Sequence, residues 1–412
     1  MKTSNSASDI ALLYLGAFAP EHKQFSNSAT STAGDLFQMN FLRALFGSNL
    51  PTPEVHAYFP VPSFPKSKKL FFGKRKVLMS RGVEVTSLSH INLGAIKIIT
   101  LGFSSALRTF KWAMANRKAT KRVVICYNLT APPAWPISVV CRMMNLDLVP
   151  FIGDIYVPGE VVKDTFLRRL EFNGQKRMIP KVEGLLIANQ AIVDDFAPNR
   201  HSLLMEGGVM ESLIYRFEER PRIADESFHL VYAGQLSVLN GVTLLLDAMK
   251  QIDLPNLKVS ILGGGEYADT VLEAAKHDSR ITYHGLLPHE EVLALYEQAD
   301  LLVNLRRTDY QTHRYVFPSK VVECLATGRP LLSTCTGHVE NEFRDLVFML
   351  RSETPEGLAE AIKDLADMPR AEREAVGQRA RNHVREHKTW EGHARRLETY
   401  LNDFVFVNQE AA

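Results

Sequence analysis

Lys320 and Glu323 stand three residues apart in YVFPSKVVECLATGRP (residues 315–330), a stretch whose central positions are otherwise Val, Cys, Leu and Ala. Pro318 suits the first position of a helix. Spacings of three and four then bring Ser319, Lys320 and Glu323 onto adjoining strips of one face, while Val321, Val322, Leu325 and Ala326 make the buried side. A lysine at a helix N-terminus is opposed by the macrodipole. An anion between its ammonium and the free backbone N–H groups removes that penalty, so the pattern reads as a phosphate site. Glu323, one turn deeper, offers acceptor oxygens to a ribose diol. The alternative is a solvated Lys–Glu pair in the less favourable order, contributing about 0.3 kcal/mol.

Three further stretches converge on the same edge. YAGQLSVLNGV (232–242) reads as a strand, a turn at Gly234, a polar loop beginning at Gln235, and a helix opening at Asn240-Gly241. LGGGE (262–266) is a second glycine-rich turn, with Gly264 and Gly265 free to let a phosphate approach the backbone. Neither matches GxGxxG or the P-loop, and simple turn geometry also asks for glycine. NLRRTD (304–309) sets Arg306 and Arg307 at a strand end. Together, three strand ends with glycines, an arginine pair and a basic helix start form a diphosphate site in pattern.

The elements that must position these residues alternate strand and helix. In the second half HLVYAG, LKVSILGGG, ITYHG, DLLVNLR, RPLLST and DLVFMLR are strands, separated by helical segments; Thr354 caps one of these, with Pro355 at its first position. In the first half the strand candidates are 10–15, 54–59, 83–87, 122–127, 147–152 and 184–188. This predicts an α/β protein of two Rossmann-like, doubly wound domains facing across a cleft, with ligands at the carboxyl edges of the sheets. The boundaries expected are a first domain at 1–206, a linker at 207–228, a second domain at 229–390, and a terminal helix at 391–412 packing back on the first. Residues 370–402 read as helical with a break near 387–389.

The 412-residue chain is 46% hydrophobic and 23% charged, with net charge +2. Its length suits two domains. No nucleic-acid-binding pattern is present, so no nucleic acid partner is expected. The four scattered cysteines fit a reducing, cytoplasmic setting. IALLYLGAFA (10–19) follows a weakly charged segment and reads as a buried first strand rather than a signal peptide. No run of about 18 apolar residues is long enough to cross a bilayer. FPKSKKLFFGKRK interleaves Lys66, Lys68, Lys69, Lys74, Arg75 and Lys76 with Phe64, Phe71 and Phe72. It is either a solvated loop or a peripheral contact with an anionic membrane on the inner face of the cell membrane. FIGDIYVPG places Asp154 at a strand end, as an acceptor-side group or a loop cap. Gly16 would bring backbone close to a ligand phosphate. His22 and His90 read as structural.

VYAG…NGVTLLLDAM, LGGGE, ITYHGLLPHEEVLALYEQADLLVNLR and FPSKVVECLATGRPLLST resemble, in order and spacing, the donor domain of family 4 glycosyltransferases of the GT-B fold. The run NLRRT…YVFPSKVVECLATGRP is similar to the subgroup found with capsule, exopolysaccharide and O-antigen synthesis. The likeness over 10–205 is weaker, through LGAFAP, FQMNFLRAL, FPKSKKLFF and FIGDIYVPG. The resemblance implies a hexosyltransferase-like enzyme taking a UDP or GDP type nucleotide sugar, with retention at the anomeric carbon, and a glycan or polyprenyl-linked acceptor. It places Glu323 on the ribose, Ser319 and Lys320 over the diphosphate, and Leu286 beside the base. Two departures matter. Tyr315 stands where the family carries a glutamate, and the usual arginine–lysine phosphate clamp corresponds to Gln235 and Asn240. We expect Arg306 and Lys320 to supply the missing charge. No Asp-x-Asp motif is present, so metal-independent chemistry without a cofactor is expected. The competing readings are a catalytically impaired sugar-nucleotide-binding subunit and a GT-B-fold epimerase or hydrolase; the latter needs a carboxylate pair and histidine that cannot be assembled.

Overall fold

The computed structural model describes residues 10–18, 32–78, 83–129, 134–160, 164–219, 227–318, 320–337 and 339–405. The chain divides into two compact units: Met1–Glu206 with Trp390–Ala412, and Gly207–Thr389.

The first unit contains strands β1 (Ile10–Ala17), β2 (Glu54–Tyr58), β3 (Phe71–Phe72), β4 (Lys76–Leu78), β5 (Glu84–Ser87), β6 (His90–Ile91), β7 (Lys121–Cys126), β8 (Asp147–Leu148), β9 (Phe151–Ile152), β10 (Leu185–Ile187) and β11 (Ser202–Leu204). Its helices are α1 (Thr32–Phe46), α2 (Gly94–Ala115), α3 (Ala134–Met144), α4 (Phe166–Met178) and α5 (Ala191–Phe196). Among the described residues the main sheet runs β4-β5-β2-β1-β7-β8, parallel except for β4, and β11-β10-β9 is a second parallel ribbon. β1 is the buried central strand, flanked by β2 and β7 on either side. That accounts for its apolar run, since a strand covered on both faces need not alternate. The single strand expected at 147–152 is two short pieces. Pro150 interrupts it because proline has no N–H to donate to a ladder.

The second unit runs α6 (Glu211–Glu219), β12 (Phe228–Ala233), α7 (Val242–Met249), β13 (Leu257–Leu262), α8 (Ala268–His277), β14 (Ile281–Gly285), α9 (His289–Gln298), β15 (Leu301–Asn304), α10 (Lys320–Ala326), β16 (Leu331–Ser333), α11 (Val339–Phe343), β17 (Phe348–Met349), α12 (Pro355–Asp367) and α13 (Arg370–His387). Its parallel sheet is ordered β14-β13-β12-β15-β16-β17. Alternate β12 residues pack on opposite faces, Leu230 and Tyr232 with Leu245 and Ile261, Val231 with Leu302, Val321 and Leu325. Each such aliphatic side chain contributes about 1.5–3 kcal/mol by leaving water.

The segment expected as a linker, 207–228, is corrected in part. It contains α6, whose Ile214 and Phe217 are buried in the second unit's core. An amphipathic turn with two large apolar residues has reason to fold there. At the other end α13 stops at His387. Lys388 is buried and paired with Glu342, and Thr389 bridges to Val209. Helix α14 (Trp390–Tyr400) belongs to the first unit, where the Tyr400 hydroxyl bonds Leu185 N at 2.9 Å and the Trp390 ring meets Phe37 edge-on.

Candidate functional site

The strand order of the second unit contains a reversal. The chain passes from β12 to β13 to β14 on one side, then returns to lay β15 against the other side of β12. Two loops leaving adjacent strand ends in opposite directions open a crevice, and ligands of such sheets bind there. The β12 loop carries Gly234, Gln235 and Asn240; the β15 loop carries Arg306 and Arg307.

Close backbone packing fixes this edge. A Cβ on Gly263 would lie 1.8 Å from the Gly234 carbonyl oxygen, and one on Gly265 2.3 Å from that of Leu236. Gly241, at φ +75°, would strike the Leu305 carbonyl at 2.1 Å. These glycines are required by loop-on-loop contact. The β12 loop is held further by Leu236 N on the Gly264 carbonyl at 2.9 Å, and by the Tyr232 hydroxyl between the carbonyls of Gln235 and Asn240. The amides of Gln235, Gly264 and Gly265 donate to no acceptor among the described residues. They remain available to an anion.

The two arginines differ in a way that their adjacency conceals. Arg307 bonds Asp309 at 2.8 Å and lies 3.6 Å from Glu353, and its guanidinium also reaches the Glu353 carbonyl. Its charge is spent within the loop. Arg306 is half-buried with no carboxylate or hydrogen-bond acceptor for its side chain among the described residues, and its Nε is shielded from water. Its backbone carbonyl is gripped by the hydroxyls of Thr334 and Thr336, at 2.5 and 2.9 Å. A guanidinium held in place and left without an acceptor is poised for an anionic ligand, because leaving it unpaired is costly.

Helix α10 begins at Lys320, two residues later than the expected start at Pro318, whose carbonyl accepts from Val321 N at 2.8 Å. Ser319 lies outside the described residues. Val321, Val322, Leu325 and Ala326 are buried as expected, and Cys324 with them, which turns Lys320 and Glu323 outward. Lys320 is exposed with no ion-pair partner among the described residues, and desolvation by nearby protein lowers its pKa, opposed by Glu323. Glu323 Oε2 is 2.8 Å from His289 Nε2. That hydrogen bond raises the His289 pKa. Sequence reasoning missed His289. The available signal was its position as first residue of α9, directly after the β14 edge. Leu286, on the same loop, is 83% exposed and packs beside Gly264. Asn240 is less free than expected, since its amide donates to Ser237 at 2.9 Å; Gln235 is exposed.

Residues 243–399 match the family described as glycosyl transferase-like. Most of the matched segment lies in the second unit. A lipopolysaccharide 1,2-N-acetylglucosaminetransferase of Salmonella typhimurium is 28% identical over 202 residues, which is 44% of this chain and 50% of that protein. The chain thus matches about half the length of this curated relative. Among solved structures, sucrose-phosphate synthase from Thermosynechococcus elongatus superposes with TM-score 0.66 at 13% identity, covering 95% of this chain and 99% of that one. Anabaena HepE, in complex with UDP, gives 0.65 at 12%, with the same coverage. At these identities the likeness is one of fold, and the fold is GT-B. The matched segment contains Arg306, Glu323 and His289, whereas β12 and the loop with Gly234, Gln235 and Asn240 precede it.

In the first unit, Gly16 and Phe72 have packing contacts. Gly16 lies within β1, and its Cβ position is crowded to 2.7–2.8 Å by Phe18, Tyr14 and Gln38 side chains. It is needed for packing against the buried Gln38, which bonds the Ala17 backbone at both of its polar ends. Gly16, Tyr58, Tyr127 and Asn128 border a small cavity at the carboxyl ends of β1 and β7. Asp154, half-buried beyond β9, is not among the lining residues, but its charge helps burial raise the Tyr127 pKa. On the basic segment, Lys66, Lys68, Lys69, Lys74, Arg75 and Phe71 are exposed. Phe72 is corrected to a structural residue: it stacks on the buried His90 ring with centroids 4.9 Å apart, and Lys69 Nζ lies over the Phe72 ring, 4.9 Å from its centroid. His22 lies outside the described residues.

Proposed function

We propose that the protein is a glycosyltransferase that moves a sugar from a UDP or GDP type nucleoside diphosphate sugar to a glycan or lipid-linked glycan acceptor in surface polysaccharide synthesis. The observation that carries this reading is Arg306, a held cation whose side chain has no acceptor among the described residues, at the switch point of a parallel sheet. Breaking the sugar–phosphate bond leaves charge on the β-phosphate, and preorganised cations and N–H groups at that position are the largest catalytic resource an active site has. Arg306 and Lys320 would hold the diphosphate, with the backbone amides of Gln235, Gly264 and Gly265 aimed at its oxygens. Glu323 would accept from the ribose through Oε1, while His289 keeps Oε2. Leu286 would cover the base. These groups suffice without a metal ion, and retention at the anomeric carbon follows if the leaving phosphate takes the acceptor proton. Asp154 is proposed as an acceptor-side group.

One observation favours a second reading, an impaired sugar-nucleotide-binding subunit. Where a charged clamp is expected, Gln235 is uncharged and the Asn240 amide is engaged by Ser237. Thermal-shift measurements against UDP, GDP and their sugars test the shared part of both readings, and no response to any of them overturns both. Slow release of free sugar from a responding donor, in the absence of acceptor, separates the transferase from the binding subunit.

A further inference from the structure

Helix α2 is amphipathic in the reverse sense. Its buried side consists of Leu101, Gly102, Ser104, Ser105, Thr109, Trp112 and Ala113. Three of these carry hydroxyls, and all are engaged: Ser104 accepts from Ser89 N at 3.1 Å, Ser105 donates to the Gly102 carbonyl at 2.8 Å and Thr109 to that of Ser105 at 2.9 Å. The opposite side presents Ile96, Ile99, Phe103, Leu107, Phe110 and Met114, all exposed. Steps of three and four residues keep these six within an arc of about 80° of the helix surface. Ile99 and Phe103 are each 70% exposed. Single exposed apolar residues are ordinary. A continuous row along a 22-residue helix marks a surface that meets something.

Charge says what it meets. Residues 55–146, with α2 at their centre, contain fifteen lysines and arginines and a single acid, Glu84, in a chain of net charge +2. Helix α2 has no carboxylate, and Lys111 is exposed beside its apolar row. The exposed basic segment is tied to the start of this helix. Phe71 of β3 pairs with Ile91 of β6, both exposed; the Asn92 amide donates to the carbonyls of Pro62 and Lys69; and Lys97 Nζ donates to that of Val61. Two copies meeting through this surface would bring like charges together. Among the described residues no helix is long and apolar enough to cross a membrane.

We propose that the apolar row of α2, flanked by the basic β3–β4 segment, is a docking face for an anionic lipid bilayer. The helix lies in the plane of the interface with Ile99 and Phe103 at the acyl boundary, and the lysines meet lipid phosphates. The surface is independent of the nucleotide-site reading, and either can fail alone.

Flotation of the full-length protein with vesicles of phosphatidylcholine, with and without phosphatidylglycerol, tests this. The protein is expected to float with the anionic vesicles and to be partly released by salt. Ile99→Asp with Phe103→Asp should lower the bound fraction about tenfold or more, without changing the melting temperature. Absence of flotation, or equal flotation with both vesicle types, overturns the proposal. So does a wild-type dimer that the double substitution converts to a monomer. Phe103→Trp gives a check that does not depend on loss of binding. Its added fluorescence should shift to the blue on anionic vesicles, and an unchanged spectrum overturns the placement of this face in the interface.

Discussion

Glu323 enters the site with one oxygen already engaged. His289 holds Oε2 at 2.8 Å, and that bond draws the ring's pKa above the ordinary 6.5. The sign of the pH dependence follows. Below the unfolded value the ring is charged in both states and the pair is complete. Its stabilisation persists until the pH rises through the raised folded value, and is lost above it. Ring-proton NMR should therefore place the His289 midpoint above 6.5 in the native chain, with a return toward 6.5 in Glu323→Gln. An unmoved midpoint contradicts the pairing. The two arginines make a second prediction at this scale. Arg306→Ala should lower turnover by about a hundredfold or more while leaving stability nearly intact. Arg307→Ala should do the converse, costing about 1 kcal/mol through the partners it leaves at Asp309 and Glu353. Equal losses of turnover in both would show that the partner difference has no functional meaning.

Elements position these residues through backbone contact as much as through side chains. Gly241 allows the β12 loop to lie against the end of β15, with φ +75° and the Leu305 carbonyl where a Cβ would be. Gly241→Ala should cost about 2 kcal/mol or more in urea unfolding and weaken nucleotide binding by moving the Gln235 amide. A neutral substitution would mean that the two loops are free to part. The same scale shows which parts of the fold were legible. Strands β1, β2, β5, β7, β10 and all six of the second sheet stand where apolar runs predicted them, because burial on both faces writes a continuous signal. Strands β3, β4, β6 and β11 were missed. They are two or three residues long and formed by pairing, too short for periodicity to register.

Across the whole molecule, the proposed nucleotide site and the reversed helix sit in different units. Residues 207–389 carry Arg306, Lys320 and Glu323, whereas α2 and the basic segment belong to the unit formed by 1–206 and 390–412. Substitutions should separate accordingly. Ile99→Asp with Phe103→Asp should leave a nucleotide-induced thermal shift unchanged, and Glu323→Gln should leave vesicle flotation unchanged. Cross-effects in either direction would mean that the units communicate. Net charge alone concealed this division, since +2 over the chain is the remainder of a strongly basic segment and an acidic rest.

The sequence by itself determined the α/β class, the alternation that builds the parallel sheets, and the oddity of Lys320 and Glu323 in an apolar helix. These are local quantities, set by periodicity, caps and side-chain chemistry within a few turns. Tertiary structure alone decided which arginine of an adjacent pair is tied to carboxylates, that Glu323 has His289 as partner 34 residues away, and that Phe72 packs inward on His90. It also decided which face of α2 is covered. A helix with apolar residues on both sides carries no local mark of its buried side, and only the packing of Leu101 and Trp112 against the rest of the unit leaves Ile99 and Phe103 outside.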